Sequence, residues 1–281
     1  MIPAAEFQFF CDLVKERSGL VLTKDKAYLI ENRLLPVVRH HKLTDLVALI
    51  RALKDPANAR LVNEVVEAMT TNESFFFRDM KPFDQFRDLV LPHMIKARAA
   101  QKTIRIWSAA CSSGQEPYSL SILLNEQKPK LEGWRIEILA TDLSNEILEK
   151  AKAGIYTQFE VQRGLPIQLL IKYFTKVGDR WEIKEPIRKS VNYRVFNLLS
   201  DPAPLGRFDV VFCRNVLIYF DSDTKGRVLE CIRKLMPDDG FLYLGGAETV
   251  FGVSEHFAPV PSHRGVYMSA TRGSAVLRAA G

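Results

Sequence analysis

Residues 104–119, which read IRIWSAACSSGQEPYS, constrain the fold of this 281-residue chain more strongly than any other stretch. The stretch opens with apolar residues that alternate with a polar one, the period-two pattern of a β-strand. Small residues follow up to Gly114, and residues 117–124 form an amphipathic segment that predicts a helix. A strand, a turn of small residues and a helix N-terminus form the first unit of a nucleotide-binding α/β domain. A dinucleotide fingerprint has three spaced glycines, whereas this stretch has Gly114 alone, so it also fits an ordinary tight turn.

Strand and helix patterns alternate along the following residues, which predicts an α/β fold with a mostly parallel sheet covered by helices. Residues 155–195 interrupt this alternation with a helix at 167–174 and a hairpin at 177–183. We expect these residues to form a small antiparallel β-subdomain inserted into a Rossmann-like sheet. The predicted sheet strands are residues 104–109, 135–140, 191–196, 208–213, 240–244 and 265–268, and the predicted helices are 83–100, 144–153 and 224–236.

The N-terminal residues have apolar side chains at helical spacing up to about residue 70, and no glycine lies between Gly19 and Gly114. Residues 71–82 break this pattern with polar capping residues and three consecutive phenylalanines. These twelve residues either pack two domains together or present Asn72, Ser74 and Arg78 to a ligand. The expected domains are an all-helical domain at 1–70, a linker at 71–82, an α/β domain at 83–270 and a flexible tail at 271–281.

The composition favours a globular protein of the reducing cytoplasm. The chain is 47% hydrophobic and can bury a substantial core, but no apolar run approaches the roughly 20 residues that span a bilayer. Glu6 and Asp12 interrupt any cationic-then-apolar signal pattern at the N-terminus. The four cysteines are far apart, which disfavours disulfides and a zinc site. We expect a monomer without a metal centre.

Basic residues outnumber acidic ones between positions 33 and 60 of the helical domain. This excess is either a solvated helix face or a docking surface for an acidic helix or for phosphates. No arginine–glycine run or aromatic-interleaved basic stretch indicates nucleic-acid binding. The residues of the predicted docking surface are Arg33, Arg39, Lys42, Arg51 and Lys54.

Two carboxylates indicate which ligand the 104–119 stretch binds. Asp142 stands at the end of the second predicted strand, where an acid either caps the next helix or accepts both hydroxyls of a ribose. Glu116 falls in the first turn of the helix after the small-residue turn. It either interacts with the helix dipole or attracts a cationic group of a cofactor. A phosphate-binding loop disfavours a carboxylate there, so the pair favours S-adenosylmethionine over NAD or ATP, and no GxxxxGK[ST] motif is present.

Four segments together resemble the CheR family, the chemotaxis receptor glutamate O-methyltransferases. The resemblance covers nearly the whole chain and implies an S-adenosylmethionine-dependent methyltransferase fold and activity. The segments are MTTNESFFFR at 69–78, WSAACSSGQEPYS at 107–119, ATDLS at 140–144 and FCRNVLIYF at 212–220.

The resemblance also implies roles for individual residues. Tyr219 and Arg78 match family positions considered near the methyl-transfer site, and Ser74 stands where threonine is common in the family. The positions that match the family's cofactor contacts are Asn72, Ser74, Arg78, Glu116, Asp142, Asn197, Leu198, Asn215 and Val216.

The same family resemblance implies how the receptor is recognised. The family's helical domain docks on acidic methylation helices of receptors, which agrees with the basic residues described above. Its β-subdomain can bind a pentapeptide at the receptor C-terminus. Here the hairpin at residues 176–185 is short and lacks the glycine-rich loop of peptide-binding members, so we expect independence from a pentapeptide. The enzyme is then expected in the cytoplasm, recruited to membrane arrays through receptors.

Two competing functions fit less well. A nucleic-acid amino-methyltransferase has an Asp/Asn-Pro-Pro-Tyr motif after a strand, whereas Asn215 is followed by Val216 and Leu217. A non-catalytic adaptor has no need for the intact set of predicted site residues.

Overall fold

The computed structural model describes residues 2–23 and 27–271, so almost all of the predicted tail at 271–281 lies outside the described residues. The chain divides into two compact units. The first comprises Met1–Thr71 with Tyr219–Thr224, and the second comprises Asn72–Ile218 with Lys225–Gly281. Within the described ranges, no helix combines the length and apolarity needed to cross a bilayer.

The first unit is helical, as the apolar spacing predicts. Gly19 ends the first helix in the left-handed region at φ 79°, and Asp45 caps the third by accepting a hydrogen bond from Ala48 N–H. Apolar residues at helical spacing, such as Phe10 and Leu34, are fully buried between the helices. The helices are α1 (Ala4–Ser18), α2 (Ala27–His40), α3 (Leu46–Ala52) and α4 (Ala59–Met69).

The second unit is built on a seven-stranded sheet. The strands are β1 (Thr103–Ala109), β2 (Arg135–Asp142), β6 (Val191–Val195), β7 (Val210–Cys213), β8 (Phe241–Leu244), β9 (Phe257–Pro259) and β10 (Val266–Ser269). Their order across the sheet is β6-β2-β1-β7-β8-β10-β9. The first five strands in this order run parallel, and β10 is antiparallel to both of its neighbours. The α/β prediction is therefore confirmed.

The strand order reverses at β1, whose neighbours are β2 on one side and β7 on the other. In open parallel sheets, ligands bind beyond the carboxyl ends of the strands at such a switch point. Ala109 at the end of β1 lies in register with Thr141 of β2 and Cys213 of β7. The residues that follow these strands therefore share one edge of the sheet.

Residues 155–183 contain the predicted antiparallel insertion. Its three strands, β3 (Ile155–Thr157), β4 (Phe174–Val177) and β5 (Arg180–Ile183), form a separate sheet in the order β3-β5-β4. The hairpin between β4 and β5 has a two-residue turn. Tyr156, Phe174 and Ile183 are buried, and they extend the hydrophobic core of the unit into the insertion.

The remaining helices belong to the second unit, except that the last of them begins in the first unit. The pattern predicts one helix at 83–100. The structure instead has two short helices joined by a π-helical turn (Phe86–Val90), and this helical segment begins and ends earlier than predicted. The helices are α5 (Lys81–Gln85), α6 (Leu91–Ala97), α7 (Gln115–Glu126), α8 (Asn145–Ala153), α9 (Gln158–Gln162), α10 (Ile167–Tyr173), α11 (Glu185–Arg188) and α12 (Ser222–Lys234).

Candidate functional site

The turn between β1 and α7, residues 110–114, has a backbone conformation that L-residues rarely adopt. Ala110, Ser112 and Gly114 have φ values of 56°, 51° and 89°, all in the left-handed region. The turn is held in part by Cys111 N–H, which donates to Thr141 O at 2.9 Å. Left-handed residues other than glycine persist where surrounding contacts fix them, and they cluster at ligand sites. We refer to residues 110–114 as the β1–α7 turn.

Asp142, at the carboxyl end of β2, anchors this turn and is only 6% exposed. Its Oδ2 accepts a hydrogen bond from Ser112 N–H at 2.8 Å, and its Oδ1 accepts one from Ser144 N–H at 3.1 Å. The cap of α8 is Ser144, whose Oγ accepts from Ile147 N–H. These two bonds fix the carboxylate of Asp142 between the β1–α7 turn and the start of α8.

Glu116, in the first turn of α7, forms an ion pair with Arg214, which directly follows β7. Arg214 Nη1 lies 3.0 Å from Glu116 Oε2, and the two side chains are 1% and 12% exposed. Ser108 Oγ donates to the other carboxylate oxygen at 2.8 Å. Arg214 Nη2 also contacts Asp79 Oδ2 at 2.8 Å. The charge of Glu116 is therefore partly neutralised within the site, which the sequence pattern did not predict.

The loop that contains Asn215 and Val216 is organised by one carboxylate. Glu248, which is 9% exposed, accepts hydrogen bonds from Asn215 N–H and Gly245 N–H through Oε2, and from Val216 N–H and Ile218 N–H through Oε1. The four distances lie between 2.6 and 3.2 Å. Asn215 itself is left-handed at φ 59°. Glu248 thus supplies acceptors for N–H groups that no helix or strand satisfies.

Residues 72–78 pass beside the β1–α7 turn. Asn72 O accepts a hydrogen bond from Ser112 Oγ at 3.0 Å, so the exposed Asn72 begins the segment next to the turn. Arg78 is half-buried, donates to Glu73 O at 3.2 Å and lies over the ring of Phe75. Ser74, also half-buried, belongs to the same segment.

The segment after β6 reaches the same edge of the sheet. Phe196 N–H donates to Asp142 O at 2.9 Å, which continues the pairing of β6 with β2. Asn197 and Leu198 follow at once, and both are half-buried. Asn197 Oδ1 accepts from Leu199 N–H at 3.0 Å. Six of the nine predicted cofactor positions therefore lie at or just after the carboxyl ends of β1, β2, β6 and β7, and the other three lie in residues 72–78, all within the second unit.

Tyr219 belongs to the first unit. Its carbonyl oxygen accepts a hydrogen bond from Val21 N–H at 2.9 Å, and its side chain is half-buried. Lys15 and Asp221 form an ion pair at 2.6 Å in the same unit. The backbone around Tyr219 is therefore fixed by contacts with the N-terminal helices.

The surroundings of Cys111 and Cys213 make the thiols of these two cysteines unreactive. Burial raises the pKa of Cys111 well above its usual value, and the carboxylates of Asp142 and Glu116 raise it further. Burial likewise raises the pKa of Cys213, with Glu248 and Glu116 as smaller causes. A neutral thiol is a poor nucleophile, so both side chains serve as small packing groups.

Two site residues were not predicted as functional from the sequence. Arg214 carries a signal in retrospect, because an arginine directly after a wholly apolar strand requires a partner once it is buried. Its Nε has no hydrogen-bond partner among the described residues. Glu248 follows Gly245 and Gly246 in a loop, and no local pattern indicates that its carboxylate binds a loop more than thirty residues away.

Comparison with known proteins places both units in one family. Residues 5–70 match the model described as "CheR methyltransferase, all-alpha domain". Residues 72–266 match the model described as "CheR methyltransferase, SAM binding domain". Together these matches cover most of the chain.

Curated relatives are similar over nearly their full length. The chain is 41% identical to chemotaxis protein methyltransferase 1 of Pseudomonas aeruginosa, covering 93% of this chain and 96% of the relative. It is 38% identical to chemotaxis protein methyltransferase Cher2 of Pseudomonas putida, covering 94% and 98%. It is 39% identical to chemotaxis protein methyltransferase 1 of Vibrio cholerae, covering 93% and 95%.

Proposed function

Because this chain belongs to the CheR family of S-adenosylmethionine-dependent methyltransferases, we propose that it methylates glutamate side chains of chemoreceptors. The products are a glutamate methyl ester and S-adenosylhomocysteine. The observation that carries the proposal is the set of carboxylates at this edge of the sheet. Asp142 ends β2, Glu248 follows β8, and Glu116 follows β1 and pairs with the buried guanidinium of Arg214. Such a site favours a cationic sulfonium and ammonium and disfavours a pyrophosphate. The relatives' names connect the reaction with chemotaxis.

The residues of the second unit fit S-adenosylmethionine. Asp142 lies at the carboxyl end of β2, where an acid accepts ribose hydroxyls, and the small side chains of the β1–α7 turn allow a ligand to approach the backbone. We assign the ammonium of the methionine moiety to Glu116, which also pairs with Arg214. The other proposed cofactor contacts are Asn72, Ser74, Arg78, Asn197, Leu198, Asn215 and Val216.

The proposed reaction needs orientation more than proton transfer. S-adenosylmethionine supplies a methyl group on a positively charged sulfur. A glutamate acceptor is already ionised at neutral pH, so the protein supplies no general base. Opposite charges are neutralised during the transfer, so residues that exclude water from the site favour it.

Arg78 and Tyr219 are the proposed catalytic residues, and both orient the acceptor. The guanidinium of Arg78 uses one N–H for Glu73 O, which leaves donors for a carboxylate. The hydroxyl of Tyr219 has one proton that it can donate to the acceptor carboxylate. Positioning of this kind aligns the reacting oxygen with the methyl group and avoids the entropy cost of a chance encounter.

The helical unit is the proposed receptor-docking domain, with the linker at 71–82 contributing to the cofactor site. Contacts within the unit separate its basic residues into two groups. Arg33 donates to Met69 O, Thr70 O and Thr71 Oγ1, and Arg51 and Lys54 contact Glu6 and Phe9. Arg39 and Lys42 are exposed. We therefore assign the main electrostatic contact with an acidic receptor helix to Arg39 and Lys42.

Receptor recognition is proposed not to require a C-terminal pentapeptide. The turn between β4 and β5 consists of Gly178 and Asp179, which leaves no long loop to enclose a peptide. Calorimetry with an isolated receptor C-terminal pentapeptide tests this independence: no binding is expected at micromolar concentrations, and micromolar binding contradicts it.

We also propose that the protein is a cytoplasmic monomer that reaches membrane arrays by binding receptors.

A labelled-methyl assay tests the proposed activity. The protein is incubated with S-adenosylmethionine labelled at the methyl group and with cytoplasmic fragments of receptors from the source organism. We expect label on the receptor fragments that is released by mild alkali, because esters hydrolyse and methylamines do not. Label on nucleic acid, alkali-stable label or no label contradicts the proposal.

A further inference from the structure

Tyr156, on the short strand β3 of the inserted sheet, makes an unexpected contact with the β1–α7 turn. Its hydroxyl donates a hydrogen bond to Ser113 O at 2.8 Å, and its ring is fully buried. Ser113 lies between the left-handed Ser112 and Gly114. A residue of the insertion thus holds the β1–α7 turn between two of its left-handed residues.

Besides the bond from Cys111 N–H to Thr141 O, three contacts support the turn at Ser112 and Ser113, and each comes from a different part of the second unit. Asp142 of β2 accepts from Ser112 N–H, Asn72 O accepts from Ser112 Oγ, and Tyr156 donates to Ser113 O. The first two involve positions already assigned to cofactor contacts. The third belongs to the antiparallel insertion, which has no assigned role in binding the cofactor.

Aromatic packing extends this support to residues 72–78. The ring of Phe76 meets Tyr156 edge-on, with 5.0 Å between centroids, and meets Phe174 of β4 at 5.4 Å. Arg163, after α9, pairs with Glu73 at 2.7 Å. A Cβ at Gly164 would collide with the carbonyl oxygen of Phe76, so the backbones approach closely there. The insertion therefore packs against both elements proposed to hold S-adenosylmethionine.

We propose that Tyr156 is a positioning residue that couples the inserted sheet to the cofactor site by holding the carbonyl of Ser113. The inference rests on the proposed function of the β1–α7 turn as the cofactor-binding element. Burial raises the pKa of Tyr156 well above its usual value, so the hydroxyl stays a donor throughout the working pH range. The insertion then acts as a structural support of the cofactor site, whether or not it contacts receptors.

Tyr156→Phe tests this role, because it keeps the ring against Phe76 and Phe174 and removes only the donor. We expect the dissociation constant for S-adenosylhomocysteine, measured by calorimetry, to rise about fivefold to tenfold. The KM for S-adenosylmethionine should rise in parallel, while kcat at saturating cofactor changes less than about twofold.

Tyr118→Phe is the matched control. Tyr118 is equally buried, and its hydroxyl donates to Ala151 O of α8 at 2.8 Å, outside the turn. Its removal should lower stability to a similar extent but leave cofactor affinity nearly unchanged. Equal affinities in Tyr156→Phe and Tyr118→Phe overturn the proposal.

Hydrogen exchange on the wild-type protein provides a second test that does not depend on a variant folding. S-adenosylhomocysteine should slow amide exchange in the β1–α7 turn and also in β3, since coupling is reciprocal. Protection of the turn with none in β3 contradicts the proposal. The calorimetry and the hydrogen exchange use the cofactor product alone, so a failure to methylate receptors overturns the proposed function without affecting these two results.

Discussion

Glu116 and Arg214 form an ion pair with 3.0 Å between Oε2 and Nη1, and the arginine side chain is 1% exposed. The pair joins the helix after β1 to the residue after β7, across the point where the strand order reverses. Loss of Glu116 removes one of the two carboxylates that contact this buried guanidinium, the other being that of Asp79, and a buried charge that loses a partner destabilises the fold. A substitution of Glu116 therefore disturbs folding as well as cofactor binding, so the assignments are tested better at other residues.

Asp142→Ala should chiefly weaken cofactor binding. It removes the proposed ribose acceptor and the partner of Ser112 N–H, so we expect the dissociation constant for S-adenosylmethionine to rise by about 10- to 100-fold in calorimetry. Asp45→Ala, which removes a helix cap in the first unit, is the control for general destabilisation. Unchanged cofactor affinity in Asp142→Ala overturns the ribose assignment.

Tyr219→Phe should lower turnover more than cofactor affinity. If the hydroxyl orients the acceptor carboxylate, its loss lowers kcat by about tenfold and leaves cofactor affinity within about twofold. Steady-state kinetics with a receptor fragment, combined with calorimetry, separates the two effects. Tyr28→Phe, at an exposed tyrosine of the helical unit, should change neither quantity. A weakened cofactor affinity with normal kcat argues against the catalytic role.

Glu248→Gln should disorganise the loop that carries Asn215 and Val216. One carboxylate oxygen becomes an amide donor and faces two backbone N–H groups, whichever way the amide is turned. We expect the free energy of unfolding to fall by about 2 to 3 kcal/mol, and the cofactor dissociation constant to rise. Urea titration measures the first effect. Glu255→Gln, at an exposed position seven residues after Glu248, should leave both quantities unchanged.

Arg39→Glu with Lys42→Glu should weaken receptor recognition. Charge reversal at these exposed positions places like charges against an acidic helix, so we expect KM for the receptor fragment to rise about fivefold or more at low salt. The KM for S-adenosylmethionine should not change. Lys128→Glu with Lys130→Glu alters the net charge equally on the second unit. An identical effect of both double variants indicates that net charge, and not the helical surface, determines recognition.

Alkaline pH should destabilise the second unit through its buried tyrosines. Burial raises the pKa of Tyr118 to about 12, whereas the unfolded chain ionises near its ordinary value of 10.0. The unfolded state then loses its proton first, so stability is full below about pH 10 and falls as pH rises towards 12. Tyr118 alone contributes about 2 to 3 kcal/mol to this loss.

Urea unfolding at pH 8 and pH 11 measures this alkaline effect in the wild type and in Tyr118→Phe. The free energy of unfolding of the variant should fall less between the two pH values, because the variant lacks one of the titrating groups. An equal loss of stability in the two proteins contradicts the assignment to Tyr118.

The architecture could be predicted from the sequence because it depends on local periodicity. Alternating strand and helix patterns, the helical first unit and the hairpin at β4 and β5 all follow from side-chain spacing and turn residues. Strand β3 has only three residues, and β9 contains a proline, so neither carries a pattern long enough to recognise. The π-helical turn at Phe86–Val90 likewise leaves the apolar spacing of a helix almost unchanged.

The contacts at the site depend on tertiary structure and were not predictable in the same way. The left-handed conformations of Ala110 and Ser112 are held by partners that are distant in sequence. The pairing of Glu116 with Arg214 spans almost a hundred residues. A local pattern identifies which residue types lie at the strand ends, but not which of them bind one another. The roles assigned to the cofactor positions therefore stay predictions.

The central claim is that the acceptor is a glutamate carboxylate of a chemoreceptor. Its most direct test is peptide mass spectrometry of a receptor cytoplasmic fragment after incubation with the protein and unlabelled S-adenosylmethionine. We expect a mass increase of one methylene on glutamate-containing peptides, which mild alkali reverses and which Arg78→Ala strongly reduces. A methyl group on lysine, arginine or a chain terminus, or an unmodified receptor fragment in the presence of cofactor-binding protein, would contradict it.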